Sequence, residues 1–461
     1  MYILMIVIFV LGYLAITLEH PLKIDKAASA LFIGVLAWTV YILGADKLLA
    51  GSENFAEYLN LNPDSDAAHF VGHELSYFLA HISEIIFFLL GAMTIVELID
   101  AHEGFDIITD KIQTTNKVKL LWIICILTFF FSAALDNLTT SIVMISLLRK
   151  LIGGQKDRWF FAGMVVISAN AGGAWSPIGD VTTTMLWIGD QITAMNVITR
   201  LIVPSFVCMI VPLIISSFMV KGNITRPDVI IDEHANNIRP KKMERRIVFI
   251  AGVALLLFVP VFKTVTHLPP YMGMLFSLSI LWIITEVMHR QKNVEEKSNL
   301  SVIGILRKID TPSVLFFLGI LVAISSLQSA GHLTDLAGIL RERLNNVYAI
   351  DFAIGLLSAI VDNVPLVAAS MGMYDVTTPA MLASTPPDQL VWAKYFVQDG
   401  RFWEFLAYCA GTGGSILIIG SAAGVAVMGL EKIDFFWYLR KIGSLALVGY
   451  IAGAATYLLL M

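Results

Sequence analysis

The sequence predicts an all-α polytopic membrane protein, built as two inverted-topology repeats, each with a re-entrant hairpin and a broken helix. Three observations predict it: apolar blocks of bilayer length, a low density of charge, and polar interruptions that recur in the same order in both halves. Of 461 residues, 57% are hydrophobic and 15% charged, with a mean hydropathy of +0.77. A soluble chain carries about 25% charged residues.

The blocks 1–18, 27–45, 78–99, 197–219, 245–262, 271–288, 313–330 and 434–460 each approach the roughly 20 apolar residues that one helical crossing needs. They are continuous rather than alternating, which excludes a β-barrel. The first block lacks a basic leader and a small-residue cleavage site, so it reads as a retained helix. With the interrupted segments added, about ten full crossings and two hairpins are expected. The net charge of −5 points to no nucleic-acid partner. The partners expected are the lipid bilayer and small inorganic cations. Cys125, Cys208 and Cys409 are far apart in apolar stretches and read as packing residues.

Basic residues collect on the cytoplasmic side of a membrane protein. Segment 149–158 carries Arg149, Lys150, Lys156 and Arg158. Segment 220–246 carries Lys221, Arg226, Arg239, Lys241, Lys242, Arg245 and Arg246, and 289–312 carries Arg290, Lys292, Lys297, Arg307 and Lys308. These three are expected inside. The acidic loop 46–76 and the loop 374–400, each with one lysine, are expected outside, which also puts both termini outside. His69, His73 and His81 then read as interfacial groups of the outer loop region, with pH sensing or metal binding as the alternative. Trp38, Trp122, Trp159, Trp282 and Trp437 read as interface anchors.

The halves echo each other. Phe87-Phe88-Leu89-Leu90-Gly91 matches Phe316-Phe317-Leu318-Gly319. Ser132-Ala133-Ala134-Leu135-Asp136-Asn137 matches Ser358-Ala359-Ile360-Val361-Asp362-Asn363. Asn170-Ala171-Gly172-Gly173 matches Gly411-Thr412-Gly413-Gly414, and each has a further glycine (Gly179, Gly420) six residues beyond its last. By the loop assignment the first Asp-Asn segment enters from inside and the second from outside. That is the inverted repeat of secondary transporters, with the site near the midplane. The expected organisation is an N-terminal helix at 1–26 and a first repeat at 27–222 with hairpin 118–149 and broken helix 159–188. A linker and connecting helix follow at 223–264. The second repeat spans 265–461 with hairpin 345–373 and broken helix 401–428.

An ionisable group at membrane depth costs at least about 2.5 kcal/mol and is a functional candidate by default. Asp136, Asn137, Thr139 and Thr140 interrupt the first hairpin, with no Lys or Arg in its apolar core. Freed carbonyls, carboxylate, amide and hydroxyls make an all-oxygen environment suited to a hard cation. Asn170, the glycines, Pro177, Asp180, Thr182 and Thr183 break the next helix. Asp180 also suits a helix N-cap. The second half supplies Asp362, Asn363, Thr412, Ser415 and Ser421, with Ser421 aligned to Asp180. Three acids, Asp136, Asp180 and Asp362, favour Na⁺ over an anion.

These hairpins, the stretch from Asn170 to Thr183 and the early Leu18-Glu19-His20-Pro21-Leu22-Lys23-Ile24-Asp25-Lys26 resemble the NhaD-type sodium/proton antiporters. That family belongs to the ion transporter superfamily, with the arsenite permeases and sodium-coupled dicarboxylate carriers. The resemblance spans essentially the whole chain. Hairpin tips of the dicarboxylate carriers read Ser-Asn-Thr, where this chain has Asp-Asn. The resemblance implies a bacterial inner membrane, a homodimer, and Na⁺ or Li⁺ exchanged for H⁺. It assigns transport to Asp136, Asn137, Asn170, Asp180, Thr182, Thr183 and Asp362, with Ser415 and Ser421 beside them. The expected mechanism is competition of Na⁺ and H⁺ for the same carboxylates, since burial and like charge disfavour an unneutralised acid. An arsenite or other small-anion permease is the alternative. A membrane enzyme is not expected, because no nucleophile–base pair or His-Glu-x-x-His spacing occurs.

Overall fold

The computed structural model describes residues 1–50, 52–109, 111–227, 241–290 and 300–461, without the side chains of residues 20, 21, 53, 108 and 109. Arg239, Lys292, Lys297 and most of the charged run 232–246 lie outside the described residues. Among those described there is no β-strand, only helices joined by short segments. The longer helices are α1 (Tyr2–Thr17), α2 (Lys26–Leu43), α3 (Ala67–Ala101), α4 (Lys117–Leu135), α5 (Asn137–Leu151), α6 (Gln155–Ala174), α7 (Val181–Ile188), α8 (Ala194–Met219) and α9 (Lys242–Thr266). Then come α10 (Pro270–Met288), α11 (Thr311–Ser329), α12 (His332–Leu344), α13 (Val347–Leu357), α14 (Asn363–Met373), α15 (Arg401–Gly413), α16 (Ala422–Glu431) and α17 (Ser444–Leu460).

Eight described helices are long and apolar enough to cross a bilayer, so the chain is a multi-pass membrane protein. Seven coincide with predicted blocks. The block 1–18 instead forms a helix of 16 residues, and α4, expected as a hairpin arm, is the eighth. The segment 46–76 is not a plain loop: Glu53–Leu61 is helical and α3 already begins at Ala67. His69, His73 and His81 therefore sit on a helix, and His69 bonds Asp66 at 2.8 Å.

The chain forms two compact units. The first comprises Met1–Leu89, Asp310–Asn346 and Val364–Asp375. In it α2 packs along α11, and small residues set the approach: a Cβ on Gly319 would lie 2.5 Å from the Ala30 carbonyl carbon, and one on Gly34 would lie 2.8 Å from the Gly319 oxygen. Trp38 is buried here and its Nε1 donates to the Val322 carbonyl at 2.9 Å. It is a core residue, not an interface anchor, because that carbonyl satisfies its one donor inside the protein.

The second unit comprises Leu90–Ile309, Val347–Asn363 and Val376–Met461. In it α4 and α5 pack together and α6 packs on both; α13 packs on α15, α16 on α5, and α8 along α17. At 1.5 Å per residue α4 and α5 are about 28 and 22 Å long, and α13 is about 16 Å. One residue, Asp136, separates α4 from α5.

Gly319→Ala should destabilise the first unit by about 1–3 kcal/mol through overpacking against Ala30 and Leu31. A lowered unfolding midpoint of the detergent-solubilised protein is the expected readout; an unchanged midpoint contradicts this packing.

Candidate functional site

Both helix breaks are built the same way. In the first, Ser132 Oγ donates to the Ala169 carbonyl at 2.6 Å, and a Cβ on Gly172 would run into the Phe129 carbonyl. In the second, Ser358 Oγ donates to the Ala410 carbonyl at 2.9 Å, and a Cβ on Gly413 would run into the Gly355 carbonyl. Serine and glycine thus hold a hairpin arm against a broken helix twice, backbone to backbone. Ser176 adds a bond to the Ala133 carbonyl in the first half. Ser132 and Ser358 fall within the repeated motif, but their bracing role shows only in the folded chain; their matched place four residues before each Asp-Asn pair is the sequence signal for it.

α6 stops at Ala174 and α7 starts after Asp180, whose carboxylate accepts from the Thr182 backbone N–H at 2.9 Å and from Thr182 Oγ1 at 2.8 Å. Asp180 is therefore an N-cap, and it is also more than one. Asn137 Nδ2 donates to it at 2.6 Å, and Asn363 Nδ2 approaches both oxygens at 3.3 Å. Asn137 also donates to Asn170 Oδ1 at 3.1 Å. Asn170 in turn donates to Ser415 Oγ at 2.9 Å and Ser421 Oγ at 3.0 Å. One network thus joins the first hairpin, both broken helices and the start of α14. Asp180 is 1% exposed, and among the described residues no Lys or Arg pairs with it. Elsewhere in the same unit the buried Glu431 takes Arg149 at 2.7 Å and Arg158 at 2.9 Å.

Asp136 faces inward differently. It caps α5 through the Thr139 N–H at 2.8 Å and Thr139 Oγ1 at 2.7 Å. Its backbone lies at φ 82°, ψ 157°, a region that costs a non-glycine residue about 1–3 kcal/mol. Asp136 and Asp362 both lie within electrostatic reach of Asp180. However, no three acidic, histidine or cysteine side chains among the described residues close into one chelating cluster. The groups bonded to Asp180 are amide N–H, backbone N–H and hydroxyl donors.

The other predicted residues divide. Ser421 also caps α16 through the Gly424 N–H at 3.2 Å. Thr140 is fully buried and its hydroxyl has no hydrogen-bond partner, as is true of the adjacent Ser141. Thr183 and Thr412 are not brought into the network. Thr183 Oγ1 donates to the Ser176 and Asp180 carbonyls, and Thr412 Oγ1 donates to the Tyr408 carbonyl at 2.6 Å.

An acid buried in a polytopic bundle marks an ion or proton pathway, and secondary transporters place their sites where helices break. Comparison with known proteins narrows this class. A family model described as "Citrate transporter" matches residues 3–394. The chain is 46% identical over 457 residues to "Sodium/proton antiporter 1" of Arabidopsis thaliana, covering 98% of this chain and 72% of that protein. It is 43% identical over 458 residues to "Sodium/proton antiporter 2" of the same plant, covering 98% of each. With the "Na(+)/H(+) antiporter NhaD" of Vibrio cholerae it shares 28% identity over 482 residues, covering 99% of this chain and 91% of that protein. The chain belongs to the citrate transporter family and, within it, to the NhaD type of the ion transporter superfamily.

The strained Asp136 backbone yields a stability ordering. Asp136→Gly should be more stable than Asp136→Ala by about 1 kcal/mol, because both lose the cap but only alanine keeps the strain. Unfolding midpoints of the two purified variants test it, and equal midpoints contradict the strain.

Proposed function

We propose that the protein exchanges Na⁺ or Li⁺ for H⁺ across the membrane, with Asp180 as the group for which the ions compete. The observation that carries this reading is the buried Asp180 carboxylate, which has no cation partner among the described residues. Its position is tenable when a proton or a bound metal ion neutralises it. Asp136 and Asp362 add negative field, favouring a cation and disfavouring a lone anionic substrate. Asn137 and Asn363, which donate to Asp180 here, can rotate their amides and offer carbonyl oxygens to an ion. Ser415, Ser421, Asn170 and the unpartnered Thr140 hydroxyl supply further oxygen ligands. The names of the relatives quoted above support the same substrate pair.

The cycle follows from neutralisation. At high cytoplasmic pH the acids are ionised and bind Na⁺; at the opposite face protons displace it. Only the loaded or protonated site crosses, and the two repeats alternate its access. The charge distribution supports both termini outside, and the family resemblance supports the inner membrane of a bacterium and a homodimer. The family model's description also raises an anionic substrate such as citrate. Three acids at the centre oppose it, and arsenite would favour a thiol cluster, whereas no group of three thiols, acids or histidines among the described residues converges.

In vesicles with an imposed pH gradient, Na⁺ and Li⁺ should collapse the gradient while K⁺, arsenite and citrate do not. Asp180→Asn should reduce the sodium response to background while inserting normally. Wild-type sodium-driven proton flux in that variant rules out the role given to Asp180.

A further inference from the structure

Asp351 lies within α13, fully buried, and neither carboxylate oxygen has a hydrogen-bond partner. Among the described residues, the groups within electrostatic reach of it are Cys409 on α15 and Tyr450 and Tyr457 on α17. None is a cation. Both tyrosine hydroxyls are committed elsewhere: Tyr450 donates to the Phe352 carbonyl at 3.0 Å, and Tyr457 to Glu404 Oε2 at 2.8 Å. An ionised carboxylate without a donor in such a place costs several kcal/mol. In this arrangement the side chain is therefore the neutral acid.

Packing does not require an acid there. Asp351 precedes Gly355 by four residues, and Cys409 precedes Gly413 by four. In the first half the matching pair, four residues before Phe129 and Gly172, is Cys125 and Ser168, which contact each other. The same helix crossing is thus made once with a thiol and a hydroxyl and once with a carboxyl and a thiol. Asp351 also stands apart from the Asp180 network, since none of that network's members bonds to it.

We propose that Asp351 is a second proton-carrying site, which binds its proton without competing with the transported sodium. With α13 seated on α15 the carboxyl holds a proton taken from one side of the membrane. When that face becomes hydrated on the other side, the O–H bond breaks, the proton passes to water and the carboxylate remains. On the sodium-carrying leg that face stays hydrated and the side chain returns as the carboxylate, so one extra proton moves per cycle, beyond the one that replaces sodium at Asp180. This rests on the antiport reading above.

The test is the number of protons moved per sodium, read in proteoliposomes at clamped zero potential as the sodium gradient that just balances an imposed pH gradient. The wild type should balance as an exchanger of more than one proton per sodium. Asp351→Asn should move one proton fewer, lowering the balancing sodium gradient about tenfold per pH unit imposed, while exchanging labelled sodium for sodium at the wild-type rate. Asp351→Cys, which copies the first half's residue, should do the same and covers the case in which the amide does not fold. A wild-type balance at one proton per sodium overturns the proposal without recourse to any variant, as does a wild-type balance point in either substituted protein. No sodium-driven proton movement at all in the wild type would instead refute the antiport reading.

Discussion

The structure turns on one unpaired charge. Asp180 sits in the interior of an apolar bundle with four hydrogen-bond donors around it, from Thr182, Asn137 and Asn363, and no arginine or lysine among the described residues. Hydrogen bonds orient a carboxylate but do not cancel its charge, and desolvating an ion costs several kcal/mol. The same unit gives Glu431 two arginines, so the absence of a partner at Asp180 is not a general property of its acids. A fixed cation at Asp180 would make the site permanently neutral and leave nothing for a mobile ion to do. Left without one, the site requires either a proton or a metal ion, and that either-or is the physical content of exchange.

Holding such a group in place needs a rigid frame, and the frame is made of very small contacts. The matched pairs Ser132–Ala169 and Ser358–Ala410, with Gly172 against Phe129 and Gly413 against Gly355, bring backbone against backbone at both breaks. Serine hydroxyls satisfy these carbonyls inside the protein, one of the ways in which irregular backbone is tolerated at membrane depth. Asn170 then ties the two breaks together through Ser415 and Ser421.

Much of this was legible in the sequence because polar residues are conspicuous in apolar segments. Asp180, Asn137, Asn170, Asn363, Ser415 and Ser421 were all expected at the site and share one network. Thr183 and Thr412 were expected there too, but a threonine on a helix can turn its hydroxyl to a nearby carbonyl of its own segment, and composition does not reveal which way it turns. Among the described residues the three acids do not close into one chelating cluster; Asp136 and Asp180 each cap a helix of their own, through Thr139 and Thr182. Asp351 is not conspicuous in the sequence: it belongs to no repeated motif, and its isolation becomes visible only when the helices around it are assembled. The early block 1–18 shows that an apolar run marks a helix more surely than it marks a helix of full crossing length.

The central claim is that sodium and a proton exclude one another at Asp180, and the most direct measurement is the proton released when sodium binds. Adding NaCl to the purified, weakly buffered protein in detergent should acidify the solution near neutral pH, with KCl as the silent control, and the release should vanish in Asp180→Asn. Sodium binding that liberates no proton anywhere across the neutral range would contradict the account.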